Sequence, residues 1–159
     1  MKTMILEIAR WAAVLAAVIS LALMFGGDPI SDADPAAVAE AVTAQMDMAN
    51  VLEGDNQMIK RLYGLDPAAY ESCVLYYPGT NMVAEELLLI KLADTAQQEA
   101  VREAIEARLN TQKTTFDGYG VEQYDMLTNN AVVEIRGNWV LFAVNAKGEA
   151  ALQAFLAAL

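Results

Sequence analysis

Residues 131–144 read AVVEIRGNWVLFAV, in which two apolar runs flank the dipeptide Gly137-Asn138. A two-residue loop of this kind between strand-like runs predicts a β-hairpin. Because side chains alternate along a strand, Phe142 is predicted to face the core and Trp139 to lie on the opposite face. The segment therefore predicts an antiparallel pair of strands, 131–136 and 139–144.

A second hairpin is predicted upstream of the first. Residues 70–77 are rich in aromatic and branched side chains and end at the turn dipeptide Pro78-Gly79. The next run, 83–92, includes Leu-Leu-Leu-Ile at positions 87–90. Because apolar residues occupy both the odd and the even positions, this run indicates an interior strand that is covered on both faces.

Helical periodicity predicts the remaining elements. Asp34 and Asp55 have the chemistry of N-caps, and Glu53-Gly54 is predicted as a turn between the first two helices. The predicted helices are 35–49, 56–63, 95–116 and 148–159. The order α-α-β-β-α-β-β-α predicts an α+β domain over 35–159, with a mostly antiparallel four-stranded sheet of two hairpins and helices packed on it.

The N-terminal region contains an uncharged apolar segment, 11–27, that reads WAAVLAAVISLALMFGG. A helix of this length spans about 25 Å, slightly less than a hydrocarbon core of about 30 Å, and a flanking arginine and tryptophan can make up the difference. We predict an uncleaved transmembrane signal-anchor, preceded by a cytoplasmic segment at 1–10. A cleaved signal peptide is the alternative, but Met24 and Phe25 put bulky residues at the −3 position of the cleavage sites.

The charges around this segment predict its orientation. Lys2 and Arg10 precede it, whereas the linker predicted at 28–34 contains Asp28 and two further aspartates. Positive charge stays in the cytoplasm, so we expect a single-pass protein of the cell membrane with its N-terminus inside and its domain outside.

The composition excludes several classes of function. The chain has a net charge of −11, so nucleic acid is not an expected ligand. It has no histidine, and its one cysteine, Cys73, is predicted to pack as a small apolar side chain. No nucleotide-binding or nucleophile motif occurs, and we predict no catalytic residue, no metal ligand and no cofactor.

Two neighbouring carboxylates, Glu85 and Glu86, are the remaining chemical candidates. Adjacent strand residues point to opposite faces, so they cannot form one acid–base pair. Our interpretation is that both are exposed at the start of a strand. The alternative is a carboxylate-dependent hydrolase of cell-wall glycans, in which two acids converge from distant positions.

Aromatic residues suggest a binding surface. Tyr77, Tyr119 and Trp139 could form an exposed patch of the kind that binds a partner. A helix over the second sheet face would bury them, and such packing in the core is the favoured interpretation. With the polar residues near them, the predicted partner-binding surface comprises Tyr77, Asn81, Glu85, Tyr119, Gln123, Asn138 and Trp139.

From Met58 onward the chain resembles an uncharacterised family of membrane-anchored extracytoplasmic proteins from Gram-positive, clostridia-like anaerobes. The segments that carry the resemblance are Leu62-Tyr63-Gly64-Leu65-Asp66, Tyr76-Tyr77-Pro78, Ala84-Glu85-Glu86-Leu87, Gly118-Tyr119-Gly120 with Glu122-Gln123, Asn130-Ala131-Val132 and Gly137-Asn138-Trp139-Val140-Leu141-Phe142. The resemblance implies an anchor followed by an α+β domain, and it implies no activity.

Together these features predict a membrane-tethered, non-enzymatic domain that binds a partner protein or supports a cell-envelope complex, with an envelope or membrane protein as the expected partner. The alternatives are the wall-glycan hydrolase and, from the resemblance, an accessory role in the O-acylation of surface polysaccharides.

Overall fold

The computed structural model describes residues 10–18, 20 and 28–159 of the chain. Its centre is a five-stranded sheet with the order β1-β2-β3-β5-β4, in which every neighbouring pair of strands is antiparallel. The strands are β1 (Val51–Gly54), β2 (Ser72–Pro78), β3 (Glu86–Lys91), β4 (Ala131–Arg136) and β5 (Trp139–Val144). The α+β class and the antiparallel sheet are as predicted.

The predicted number of strands is wrong, because four strands were expected and the structure has five. The fifth strand, β1, was predicted as a turn. It pairs with the edge of β2, where Leu52 lies opposite Tyr77 and Glu53 opposite Tyr76. A Cβ atom at Gly54 would lie 2.6 Å from a methyl carbon of Leu75, so the glycine that suggested a turn instead lets the strands approach.

Helices cover both faces of the sheet. They are α1 (Pro35–Thr43), α2 (Asn56–Tyr63), α3 (Gln98–Phe116), α4 (Val121–Asp125) and α5 (Gly148–Ala158), with 3₁₀ turns at Pro67–Ala69 and Thr95–Gln97 and a π-helical turn at Met126–Asn130. Asp55 caps α2 by accepting a hydrogen bond from the Met58 amide at 2.9 Å. Gly64 ends the same helix with φ = 69°, in the left-handed region.

The core has one apolar cluster on each side of the sheet. On one side, Ile59 of α2 and Ile105 of α3 pack against Phe142. On the other, Val42 of α1 and Phe155 of α5 pack in the cluster that contains residues 87, 89, 139, 141 and 143. Every residue of β3 and β5 is buried, as the apolar run at 87–90 predicted for an interior strand.

The segment 28–34, predicted as a linker, lies against the domain. The Ser31 amide donates to Oδ1 of Asn138 at 2.9 Å, and the Asn138 side-chain amide donates to the Ser31 carbonyl at 3.2 Å. The Ser31 hydroxyl also donates to the carbonyl of Leu159. A Cβ atom at Gly137 would lie 2.1 Å from the Pro29 carbonyl oxygen, and the φ of 54° at this position also favours glycine.

The predicted membrane segment is described only in part. Residues 11–18 and 20 are helical, and residues 19 and 21–27 lie outside the described residues, as do residues 1–9 of the predicted cytoplasmic segment. None of the helices that the structure describes is both long and apolar enough to span a bilayer.

Replacing Asn138 with alanine is expected to release residues 28–33 from the sheet. The variant loses both hydrogen bonds to Ser31, and we expect the free energy of unfolding to fall by about 1–2 kcal/mol. Hydrogen exchange of the Ser31 amide should become faster. Asn129→Ala is the matched control, since the exposed Asn129 side chain donates a hydrogen bond to Asp125, four residues away on the surface. Unchanged protection of Ser31 in Asn138→Ala would contradict this role.

Candidate functional site

A buried polar network connects the sheet to the two helices that cover one of its faces. Glu86, the first residue of β3, is 0% exposed. Its carboxylate accepts hydrogen bonds from Tyr63 at the end of α2 and from Arg108 and Gln112 on α3. Nη2 of Arg108 lies 2.8 Å from Oε2 of Glu86, and Nε lies 3.1 Å from Oε1. The pair is therefore bidentate, the geometry in which an arginine–carboxylate bond is strongest.

Local structure explains how the three donors meet one carboxylate. Arg108 and Gln112 are four residues apart and so lie on the same face of α3. Tyr63 is the last residue of α2, and the left-handed Gly64 ends the helix just after it. These two helices thus present three donors to the end of a central strand.

The network shifts the pKa values of its members. Burial raises the pKa of Tyr63 well above its ordinary value, and the negative charge of Glu86 raises it further. Burial alone would lower the pKa of Arg108, but the hydrogen bonds and charge of Glu86 outweigh burial and raise it. Tyr63 therefore stays neutral and Arg108 stays charged.

The interpretation of Glu85 and Glu86 as exposed carboxylates is wrong. Glu86 is fully buried, and Glu85 is 9% exposed. Oε1 of Glu85 accepts a hydrogen bond from Asn50 at 3.3 Å, while its buried Oε2 has no hydrogen-bond partner among the described residues. Parts of the chain that are distant in sequence cover both carboxylates, with Asn50 and Tyr63 before them and Arg108 and Gln112 after them, and the neighbouring residues do not indicate this cover.

A cleft of about 300 Å³ opens beside the Glu86 network. We name it the α2–α3 cleft, because residues of these two helices line it together with residues of the segment 77–83. Its lining residues are Met58, Arg61, Leu62, Tyr77, Pro78, Thr80, Asn81, Val83, Arg108, Gln112, Thr115 and Phe116. The cleft thus has apolar walls, a group of polar side chains, and two arginines.

The structure brings two of the predicted surface residues into this cleft, Tyr77 and Asn81. Tyr119 lies nearby and is 58% exposed, and its ring is 5.9 Å from that of Phe116, which lines the cleft. Gln123 is half-buried and accepts a hydrogen bond from the Ala84 amide at 2.8 Å, so its side chain holds the segment before β3.

Trp139 is not part of an exposed patch, so that prediction is wrong for this residue. It is 1% exposed, because α1 and α5 cover the second face of the sheet. Its ring packs edge-on against Phe155 at 6.5 Å, and the Lys91 ammonium lies 5.8 Å from its centre. Asn138 is also buried, and its side chain bonds Ser31. Packing in the core beneath a helix cover, the interpretation that the sequence favoured over an exposed patch, accounts for Trp139.

Sequence reasoning did not identify Arg61, Tyr63, Arg108 or Gln112 as site residues. The four-residue spacing of Arg108 and Gln112 was visible, but it is also the spacing of any polar helix face.

The remaining chemical candidate, Cys73, is half-buried, and burial raises the pKa of its thiol to about 11. It packs against the first core cluster, as predicted.

The described residues contain no cluster of three or more histidine, cysteine or carboxylate side chains that is placed to hold a metal ion. The cleft and the two arginines that line it define the candidate site.

The fold and cleft together define the chain as an α+β domain with a helix-walled groove on one side of an antiparallel sheet. The chain belongs to the family described as Domain of unknown function (DUF4358), which matches residues 44–145, more than half of its length. The match stops short of α1 and α5. No curated protein and no solved structure matches the chain.

Replacing Glu86 with alanine is expected to destabilise the domain strongly. Arg108 and Gln112 would lose their partner, and removing one member of a buried ion pair costs about 3 kcal/mol or more. The measurement is the free energy of unfolding from urea denaturation. Glu99→Ala is the matched control, because Glu99 pairs with Arg102 at 3.7 Å on the exposed side of α3.

We expect this control to lose less than about 1 kcal/mol, as is usual for exposed pairs. Similar losses in the two variants would show that the Glu86 network has no special structural role.

Proposed function

We propose that this chain is a membrane-tethered, non-enzymatic domain outside the cell that binds a partner protein through the α2–α3 cleft. The observation that carries the proposal is a preformed cleft whose Arg108 and Gln112 are held in place by a buried carboxylate. Because the side chains are already fixed, a partner that binds there has little further ordering of them to overcome.

The position of the cleft suits a tethered domain. Residues 28–31 bind the end of the sheet at Asn138, where Lys91 lies opposite Trp139. The cleft lies at the other end, beside Glu86. The length of β3, six residues, separates the two ends by roughly 20 Å. An anchor before residue 28 would therefore leave the cleft facing away from the membrane.

The anchor itself is supported by the apolar segment 11–27 and by the charges that flank it. Lys2 and Arg10 on one side and the aspartates from Asp28 on the other favour a domain outside the cell. The resemblance to anchored proteins of Gram-positive anaerobes points the same way.

The cleft favours binding over the alternative of a wall-glycan hydrolase. Such an enzyme needs two acids on either side of the bond that it cuts. None of the described residues that line the cleft is acidic, and three donors already occupy the carboxylate of Glu86. An accessory role in O-acylation of surface polysaccharides is one form of the binding proposal, in which the partner belongs to the acylation machinery.

The location of the domain is tested by labelling Gln153→Cys in intact cells with a membrane-impermeant maleimide. Gln153 is exposed on α5, so we expect the variant to be labelled before the cells are opened. The unmodified chain is the control, because burial and a raised pKa make its Cys73 slow to react. Labelling of the variant only after lysis would place the domain inside and overturn the topology.

The binding role is tested with a photo-crosslinking amino acid at Asn81, inside the cleft. In intact cells we expect one discrete protein adduct from this position. The same amino acid at Gln153, on the opposite side of the sheet, is the matched control and should not give that adduct. An identical set of adducts from both positions, or none from Asn81, would overturn partner binding at the cleft.

A further inference from the structure

We propose that the α2–α3 cleft binds a partner segment in which a carboxylate lies next to an apolar side chain, with Arg61 and Arg108 as the groups that bind the carboxylate. This inference rests on the proposed function and specifies the chemistry of the partner.

The charge of the cleft is opposite to that of the chain as a whole. The chain has 21 acidic and 10 basic residues, yet the lining of the cleft contains two arginines and, among the described residues, no carboxylate. Clefts with charge of one sign concentrate ligands of the other sign. The cleft should therefore attract anions, although the domain as a whole is acidic.

Arg108 lines the cleft and has one donor group that Glu86 does not occupy. Glu86 accepts from its Nε and Nη2 atoms, and Nη1 has no hydrogen-bond partner among the described residues. The side chain is 15% exposed, and it lines the cleft. The bidentate bond to Glu86 holds the guanidinium plane, so the group is fixed before a ligand binds.

Arg61 supplies the net positive charge, because the charge of Arg108 is balanced by Glu86. It lies one helical turn after Met58 and next to Leu62, so all three share the side of α2 that lines the cleft. Within the described part of the chain it forms no ion pair, whereas its neighbour Lys60 pairs with Asp66 at 3.0 Å. Arg61 is therefore available for a ligand carboxylate.

The remaining lining residues favour a peptide over a phosphate-bearing polymer. Leu62, Tyr77, Val83 and Phe116 contribute apolar surface beside the arginines. A carbohydrate phosphate would leave that surface uncovered, whereas an apolar side chain would remove it from water. A volume of about 300 Å³ lies at the small end of ligand sites and fits one or two side chains.

Buried Gln112 adds a second reason to expect a ligand at this place. It is 4% exposed, and its Nε2 donates to Glu86 while its Oε1 has no hydrogen-bond partner among the described residues. Buried polar atoms are nearly always satisfied in native proteins. A peptide amide entering the cleft is a donor of the type that this oxygen lacks.

The test uses the full chain in lipid nanodiscs and two short capped peptides that differ at one position. One contains Glu next to Phe, and the other contains Gln next to Phe. We expect the Glu peptide to bind on the order of tenfold more tightly, the difference expected for charge-assisted hydrogen bonds. Binding is followed by the chemical shifts of the labelled backbone amides of residues 77 and 79–83.

In Arg61→Gln, the affinity for the Glu peptide should fall to about the affinity for the neutral Gln peptide. Arg102→Gln is the matched control, since Arg102 is an exposed arginine on α3 that does not line the cleft, and it should leave the discrimination unchanged. Equal binding of the two peptides, or no binding of either at millimolar concentration, overturns the inference. A higher affinity of inorganic phosphate than of the Glu peptide for residues 77–83 would also overturn the inference.

The two proposals can fail separately. A discrete crosslink from Asn81 together with equal peptide binding would leave the binding function in place and remove only the assignment of the carboxylate. Loss of the crosslink would remove the function on which the assignment rests.

Discussion

The ion pair between Glu86 and Arg108 is the interaction on which the arrangement of this domain depends. Removing two charges from water costs several kcal/mol for each ion, and this cost is offset only when geometry and further hydrogen bonds satisfy the charged groups. Glu86 meets that condition because Tyr63 and Gln112 donate to it as well as Arg108. One carboxylate thereby joins the central strand β3 to α2 and α3, and it fixes the spacing between the walls of the cleft.

The parts of the fold that could be predicted have local signals. The hairpin at 131–144 has its turn residues and both strands within one short segment, and the run at 87–90 is apolar whatever its surroundings. Strand β1 has no such signal, since it contains Glu53 and Gly54 and forms only because the edge of β2 is available to pair with it. Its identity as a strand is a property of the sheet, so the residues 51–54 alone could not indicate it.

The site was predictable only in part, for a related reason. Tyr77 was proposed as an aromatic side chain that could be exposed and Asn81 as a polar residue near it, and both line the cleft. The burial of Glu86 depends on donors that come 22 and 26 residues later, and the burial of Trp139 depends on α1 and α5, which come from the two ends of the domain. Alternation along a strand indicates which face a side chain takes, but it does not show what covers that face.

The close approach of Gly137 to Pro29 has a mechanical consequence. The incoming chain lies against the β4–β5 turn and is hydrogen-bonded there through Ser31, before α1 begins at Pro35. A pulling force applied to the N-terminal segment would therefore load the hairpin turn first and reach α1 only after those hydrogen bonds had broken. The contacts of residues 28–31 therefore shield α1, one of the two helices that cover the second sheet face, from tension, and the core beneath it need not open when the tether is stretched.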